Sequence, residues 1–226
     1  YDLALVSRDE EKLQNVKKEL EKNNVKIEIY AMDLSIEENC KNLHEKVKDI
    51  DILINNAGFG VHGNFVETNF EKEIKMLETN VMAVHILMKL FLQDMVKRNS
   101  GQILNVSSMA AFSPGPLMAG YYSSKAYVYR LSECVKTELK MAKSKVKISV
   151  LCPGPVRTNF NKAADVNFAA PSLSSDIVAK YAINKMLKGK FTIVPGNLMK
   201  ITRFFEKILP HNWVSYVSYL VNYRKS

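Results

Sequence analysis

Short apolar runs alternate along the chain with longer stretches whose apolar residues recur at helical spacing. We predict strands at residues 3–6, 27–32, 50–54, 102–106, 146–151 and 191–194. We predict helices at residues 9–23, 36–47, 70–98, 120–142 and 173–187, with Ser175 and Asp176 able to cap the last of them. Strands that alternate with helices of about 12 or more residues form βαβ units and a parallel sheet. The sequence therefore predicts a doubly wound α/β fold.

The length of the chain limits how many domains it can form. With 226 residues, 47% of them hydrophobic, it can bury one large core. A disordered chain would be poorer in apolar residues, and separate catalytic and cofactor domains would need a longer one. We expect one α/β domain over residues 1–195 and an amphipathic C-terminal extension over residues 196–226.

The net charge and the cysteine content limit which partners and which cellular compartment we expect for the protein. The net charge of +9 suits an anionic partner, but the basic residues are scattered and lack interleaved aromatic residues, so we expect no nucleic acid. Cys40, Cys134 and Cys152 form no CxxC pair, which favours a reducing compartment and a cytoplasmic protein. The four histidines show no zinc-binding spacing, so we expect no metal site.

The segments directly after the predicted strands are where chemistry is expected. In open parallel sheets, ligands bind beyond the carboxyl ends of the strands. These segments are Ser7-Arg8, Asp33-Leu34, Asn55-Asn56-Ala57-Gly58, Ser107-Ser108 and Pro153-Gly154.

Tyr121 and Lys125 give the strongest chemical signal. They are four residues apart, so both project from one face of a helix. A lysine beside a tyrosine favours the phenolate and lowers the tyrosine pKa, which suits proton transfer at a carbonyl or alcohol oxygen. Ser108 could share that oxygen, and Asn80, a poor residue for a helix interior, could bend its helix or bind a water near Lys125. Taken singly, each of these residues could equally be structural.

Five motifs in one order produce a family resemblance. They are Asn-Asn-Ala-Gly at 55–58, Asn80, Asn-Val-Ser-Ser at 105–108, Tyr-x-x-x-Lys at 121–125 and Pro-Gly-x-Val-x-Thr at 153–158. Together they resemble the short-chain dehydrogenase/reductase family over residues 1 to about 195. The resemblance implies a Rossmann-like fold and hydride transfer between a nicotinamide cofactor and a carbonyl or secondary alcohol.

The resemblance implies a catalytic tetrad of Asn80, Ser108, Tyr121 and Lys125. Tyr121 would be the general acid in carbonyl reduction and the general base in the reverse reaction. Ser108 would hold the substrate oxygen, and Asn80 would keep a water in the proton relay. Lys125 would lower the tyrosine pKa and bond the nicotinamide ribose.

The resemblance also implies the cofactor contacts. Asp33, followed by Leu34, is similar to the family residue that meets the adenine. The segment that lines the adenosine side would be Asn56, Ala57 and Gly58. Tyr121 and Lys125 would meet the nicotinamide half, and the segment beside the carboxamide would be Pro153, Gly154, Val156 and Thr158.

The residues after the first predicted strand favour NADP(H) over NAD(H). An NAD enzyme usually places a carboxylate there to bond the ribose 2′-hydroxyl. Here Arg8 can grip a 2′-phosphate and Ser7 can add a hydroxyl. Asp9 is better interpreted as the residue that starts the next helix.

One family feature does not occur in the sequence. The glycine-rich turn that resembles Thr-Gly-x-x-x-Gly-x-Gly in relatives is absent, together with the strand before it, which would lie between the first and third predicted strands. We expect about 30 residues upstream of Tyr1, and we expect the given chain alone to have a split sheet with unpaired backbone on two strands. The low glycine count, 9 of 226, partly reflects this loop.

The C-terminal extension leaves three interpretations open. Ile201, Phe204, Phe205 and Ile208 form one helical face, with Lys200, Arg203 and Lys207 off it, and Pro210 ends the helix. A second apolar stretch covers residues 213–223, and neither piece reaches the length of a membrane span. The extension could cover the substrate pocket, pack on a second subunit or lie on a membrane surface.

We therefore expect an NADP(H)-dependent oxidoreductase that interconverts a carbonyl and a secondary alcohol. An apolar extension, and a segment 163–172 whose only charge is Asp165, favour a lipid-, steroid- or acyl-like substrate. The alternative is a nucleotide-binding regulator on the same fold without turnover. The family resemblance implies a homodimer or homotetramer built through residues 70–98 and 120–142.

Overall fold

Eight strands and eight α-helices make up the part of the chain that the computed structural model describes, residues 1–158 and 172–223. The strands are β1 Leu3–Ser7, β2 Ile27–Ala31, β3 Ile52–Asn55, β4 Gln102–Val106, β5 Lys147–Leu151, β6 Val156–Arg157, β7 Leu173–Ser174 and β8 Thr192–Ile193. The helices are α1 Glu10–Leu20, α2 Glu37–Lys46, α3 Phe70–Leu77, α4 Val84–Lys97, α5 Ala119–Met141, α6 Ser175–Leu187, α7 Asn197–Ile208 and α8 His211–Tyr223. Except for Ser172, the segment 163–172 lies outside the described residues.

All the strand pairs are parallel, as the alternating pattern predicts. Strands β3, β4, β5 and β8 form one sheet in that order, while β1 pairs with β2 in a second sheet and β6 pairs with β7. Strands β1 and β3 therefore lie in different sheets, which is the split that the sequence predicts at this point. The α/β fold class is confirmed.

A shared hydrophobic cluster joins the two sheets on one side. Cys40 and Leu43 of α2 are buried against Leu87 and Phe91 of α4. Partly buried residues from both sheets pack on this cluster, namely Val6, Tyr30 and Leu53. The helical layer thus holds β1 and β2 beside β3 although no strand hydrogen bonds link them.

The prediction of a single helix over residues 70–98 is wrong in one respect. This segment is two helices, α3 and α4, joined by a π-helical turn over Glu78–Ala83. The fully buried Asn80 lies in this turn. A side-chain amide that bonds outside its own helix competes with the regular backbone pattern, and such turns are frequent at functional sites.

The ends of two helices test the capping predictions. Asp9 caps α1, since its carboxylate accepts a hydrogen bond of 3.0 Å from the Lys12 amide. The prediction for α6 is wrong: the helix begins at Ser175 and not at residue 173, and its cap is the Ser174 side chain instead of Ser175 or Asp176. Leu173 and Ser174 are extended because they pair with β6.

The C-terminal extension folds into two helices. We call α7 and α8, which follow each other with Leu209 and Pro210 between them, the C-terminal hairpin. Within residues 1–158 and 172–223, no helix combines the length and the hydropathy needed to cross a bilayer.

We expect Phe91→Ala to lower the free energy of unfolding by about 3–5 kcal/mol, because it removes a buried ring from the cluster that joins the two sheets. The matched control is Phe70→Ala, whose ring is 71% exposed and whose loss should cost less than about 1 kcal/mol. Urea unfolding followed by circular dichroism measures both. Equal losses in the two variants would contradict the packing described.

Candidate active site

The polar residues that follow the strands gather at one edge of the four-stranded sheet. Parallel pairing brings the ends of β3, β4 and β5 together at this edge. Ser107 and Ser108 leave β4 there, and the Ser107 amide donates a hydrogen bond of 2.8 Å to the Leu151 carbonyl at the end of β5. The first turns of α5, with Tyr121 and Lys125, pack against the same edge.

Tyr121, Ser108 and Lys125 form the reactive part of the site. Ser108 lies close enough to the Tyr121 side chain to act on its pKa, which it lowers. The Lys125 ammonium lies 5.8 Å from the centre of the Tyr121 ring and donates a hydrogen bond of 3.0 Å to the Val106 carbonyl at the end of β4. The structure thus brings together three of the four predicted tetrad residues around one phenol.

Asn80 links the π-helical turn to two other segments. Its amide oxygen accepts a hydrogen bond of 3.1 Å from the Phe59 amide, and its amide nitrogen donates one of 2.8 Å to the Phe59 carbonyl. The same nitrogen donates a 3.1 Å hydrogen bond to Ser124 Oγ on α5. Asn80 therefore fixes the loop after β3 against the helix that carries Tyr121 and Lys125.

Gly58 lies where Asn80 and Lys125 come together. A Cβ at this position would be 2.8 Å from Asn80 Oδ1 and 3.2 Å from Lys125 Nζ, which is too close for a side chain. The absence of a side chain leaves room for the backbone to approach both residues. Asn56 and Ala57, beside it, are exposed at the end of β3.

Burial sets the pKa values of the two reactive groups. Removal from water raises the pKa of Tyr121 to about 12, although Ser108 opposes the rise. The same effect lowers the pKa of Lys125 to about 8. The predicted lowering of the tyrosine pKa by Lys125 is therefore wrong for this structure, because the loss of water disfavours the phenolate more than its neighbours favour it.

Three further side chains of the sequence motifs support the site, namely Ser107, Asn105 and Asn55, in roles that the sequence does not predict. Ser107 Oγ donates a hydrogen bond of 2.8 Å to the Lys125 carbonyl. Asn105 donates from its amide to Ser132 Oγ at 2.8 Å and accepts a hydrogen bond of 2.8 Å from the Asn55 amide. All these side chains are buried, so each hydrogen bond holds α5 or β3 against β4. Polar residues inside an otherwise apolar strand are the signal that could have identified them.

Arg8 and Asp33 meet at the carboxyl ends of β1 and β2. Their charged groups are 3.9 Å apart, and Lys75 of α3 lies closer to Asp33, at 3.1 Å. Burial opposes ionisation of Asp33, but hydrogen bonds from Ser35 and the contact with Lys75 outweigh it and lower the Asp33 pKa. Ser7 Oγ accepts a hydrogen bond from the Asp9 amide at 3.3 Å. Lys75 was not predicted, since nothing in its helix distinguishes it from other surface lysines.

The remaining predicted contacts surround this edge. The Pro153 carbonyl accepts a hydrogen bond of 3.0 Å from the Met109 amide, and Gly154 lies against Met199 with no room for a side chain between them. Val156 pairs with Leu173. Thr158 is exposed at the end of the described segment, and Leu34 is half-buried beyond β2.

Comparison with known proteins identifies the family. A profile of the short chain dehydrogenase family matches residues 1–167. The chain belongs to that family. Residues of all five sequence motifs line the carboxyl edge described above or lie directly beside it.

Individual relatives of this short-chain dehydrogenase agree in fold. Estradiol 17-beta-dehydrogenase 11 of Mus musculus is 30% identical over 185 residues, which are 81% of this chain and 61% of that protein. A short chain dehydrogenase/reductase from Burkholderia phymatum in complex with NAD has a TM-score of 0.82 at 24% identity and covers 92% of this chain and 85% of its own. A metagenomic short-chain oxidoreductase in complex with NADP has a TM-score of 0.63 at 29% identity over 70% of this chain and 72% of its own. The chain spans as little as a quarter of other curated relatives.

We expect Lys125 to contribute a rise in stability with pH from about 8 to 9.5, because its pKa is lower folded than unfolded and the unfolded chain then binds more protons at this group; the buried Cys40 and Cys152, whose pKa values are raised, contribute the opposite slope. Lys125→Met should remove this rise, which amounts to on the order of 1–2 kcal/mol. Urea unfolding across this pH range measures it, and the exposed Lys140→Met is the control that should keep it. An identical slope in the wild type and Lys125→Met would contradict the burial of a charged lysine.

Proposed function

We propose that the protein is an NADP(H)-dependent oxidoreductase that interconverts a carbonyl and a secondary alcohol. The observation that carries the proposal is the Tyr121 phenol, with Ser108 and the buried Lys125 ammonium beside it. A hydroxyl pair of this kind can hold one substrate oxygen, and the bound nicotinamide would supply or accept the hydride at the adjacent carbon.

The raised tyrosine pKa supports the direction of carbonyl reduction. A phenol with a pKa of about 12 keeps its proton at neutral pH, so Tyr121 can donate it to the alkoxide that forms as a carbonyl is reduced. Ser108 can hold the same oxygen through its own hydroxyl. Lys125 keeps a positive charge close to that oxygen below about pH 8, which also favours the developing negative charge.

The edge residues fit a nicotinamide dinucleotide. The Arg8 guanidinium is 62% exposed, so it can bind a phosphate, and Lys75 offsets the charge of Asp33 that would otherwise repel one. Gly58 gives a flat ligand access to the backbone beside Asn80 and Lys125. Because Arg8 suits a 2′-phosphate better than a 2′-hydroxyl, we favour NADP(H) over NAD(H).

The substrate that we propose is apolar, either a steroid, a 3-oxoacyl thioester or a simple ketone. The name of the mouse relative, an estradiol dehydrogenase, supports a steroid. NADPH oxidation measured against these three classes would identify the substrate class.

We expect Tyr121→Phe to lower kcat/KM for carbonyl-dependent NADPH oxidation by about 10²–10⁴-fold, because it removes the proton donor and keeps the ring. NADPH affinity, measured by fluorescence, should stay unchanged. Tyr127→Phe, the same substitution at an exposed position of α5, is the control and should keep full activity. A wild-type protein that binds NADPH but turns over no carbonyl would instead favour a nucleotide-binding regulator.

We expect Arg8→Ala to raise the KM for NADPH by about tenfold or more and to leave the KM for NADH unchanged, because only the 2′-phosphate needs the guanidinium. Lys12→Ala removes an equal charge nearby on α1 and should change neither constant. Steady-state kinetics with the two cofactors measures the effect. Equal rises in both KM values would show that Arg8 does not recognise the 2′-phosphate.

A further inference from the structure

The C-terminal hairpin turns its polar side towards the protein. Of the α7 side chains, Arg203 donates a hydrogen bond of 3.2 Å to the Tyr129 hydroxyl and lies 4.4 Å from the centre of the Phe112 ring. Glu206 is largely buried, which raises its pKa to about 7. On α8, the buried Asn222 donates a hydrogen bond of 2.9 Å to the Pro116 carbonyl. Charged and amide groups therefore anchor the hairpin on its inner face.

The outer face of the same hairpin is apolar and exposed. Ile201, Phe204 and Ile208 are 54%, 60% and 61% exposed, and Trp213 is 68% exposed. The exposed apolar residues of the two helices, which we call the outer face, are Leu198, Ile201, Phe204, Phe205, Ile208, Trp213, Tyr216, Val217, Tyr219, Leu220, Val221 and Tyr223. This is the reverse of the usual arrangement on a surface helix, and a group of exposed apolar residues of this size marks an interaction site.

A basic pocket lies beside the outer face. Its cavity of about 350 Å³ is lined by lysines from three segments, namely Lys185, Lys190 and Lys200, together with Arg203. The ammonium groups of Lys185 and Lys200 both lie within 6 Å of the centre of the Tyr181 ring. Residues 172–223 contain two carboxylates, Asp176 on α6 and the inward Glu206, against six lysines and Arg203, so this part of the chain is positively charged.

We propose that the outer face of the C-terminal hairpin docks on the surface of an anionic lipid bilayer, with Lys185, Lys190 and Lys200 of the basic pocket facing the phosphate groups of the lipids. A helix with an apolar, aromatic face and a basic border lies in the headgroup region of a membrane. Lysines near an anionic bilayer add about 1 kcal/mol each to binding. The lipid surface therefore complements both the apolar face and the charge of its border.

A second copy of the chain would complement the apolar face but not the positive charge of its border. If two copies packed through the same face, their lysine-bearing borders would meet, and like charges opposed across an interface disfavour it.

The hairpin also connects the docking face to the candidate site. Asn222 accepts a hydrogen bond of 3.4 Å from the hydroxyl of Tyr122, the residue next to Tyr121. Docking would bring the site close to lipid.

Trp213 is the single tryptophan of the chain, so its fluorescence reports on this face alone. We expect its emission to shift to shorter wavelength when the protein is mixed with phosphatidylcholine vesicles that contain phosphatidylglycerol. Inorganic phosphate alone should give no shift. The readout does not need turnover, so it stays informative even if the proposed enzymatic function fails.

Two variants separate the apolar and the charged contributions. Phe204→Ser with Ile208→Ser should weaken vesicle binding by about tenfold or more, because two apolar side chains leave the interface. Lys185→Gln with Lys200→Gln should weaken binding to the anionic vesicles by a similar factor. The control for the apolar variant is Met141→Ser, at the end of α5. The control for the charged variant is Lys140→Gln with Lys145→Gln, at the end of α5 and just after it. Both controls should bind like the wild type.

Three results would overturn the proposal. The first is no emission shift with anionic vesicles, and the second is equal binding by the hairpin variants and their controls. The third is a Trp213 emission that is already at short wavelength without lipid and moves to longer wavelength on dilution, in step with a fall in sedimentation coefficient. That result would assign the outer face to a second copy of the chain.

Discussion

The side-chain amide of Asn80 is the interaction on which the candidate site depends most. It bonds both backbone groups of Phe59 and the hydroxyl of Ser124, so it joins the loop after β3, the π-helical turn and α5. A buried amide that lost these partners would leave unpaired polar groups in the core, at a cost of about 1–3 kcal/mol for each. The position of Lys125 relative to Gly58, and of Tyr121 one turn earlier, follows from this junction.

Burial then gives the reactive groups their chemical character. Tyr121 and Lys125 lie in the same water-poor region, where the charged form of each is disfavoured, so the pKa of Tyr121 rises to about 12 while the pKa of Lys125 falls to about 8. Arg8 and Asp33, at the ends of the other two strands, lie closer to solvent, and their charges are balanced by ion pairs. The end with Tyr121 and Lys125 therefore suits proton transfer, and the end with Arg8 suits phosphate binding.

The periodicity of apolar residues predicts six of the eight strands but not β6 and β7, and the four-residue spacing places Tyr121 and Lys125 on one helix face. The split between β1 and β3 and the place of Ser108 beside Tyr121 are what the family resemblance implies. The sequence indicates a bend at Asn80 but not the division of the long helix in two, because the π-helical turn depends on tertiary hydrogen bonds of Asn80. The direction of the Tyr121 pKa shift is likewise a property of packing. The apolar stripe of α7 is visible in the sequence, but only the burial of Arg203 and Glu206 shows that the stripe faces outward.

The central claim is that the residues at this carboxyl edge form a site in which a nicotinamide transfers a hydride to a carbonyl carbon. It can be tested by incubating the protein with NADPH in which both hydrogens at C4 of the nicotinamide are deuterium and with a ketosteroid, a 3-oxoacyl thioester or a simple ketone, followed by mass spectrometry of the alcohol. The account predicts one deuterium on the carbinol carbon of at least one product. An absence of labelled alcohol in all three classes, with NADPH bound, would contradict it.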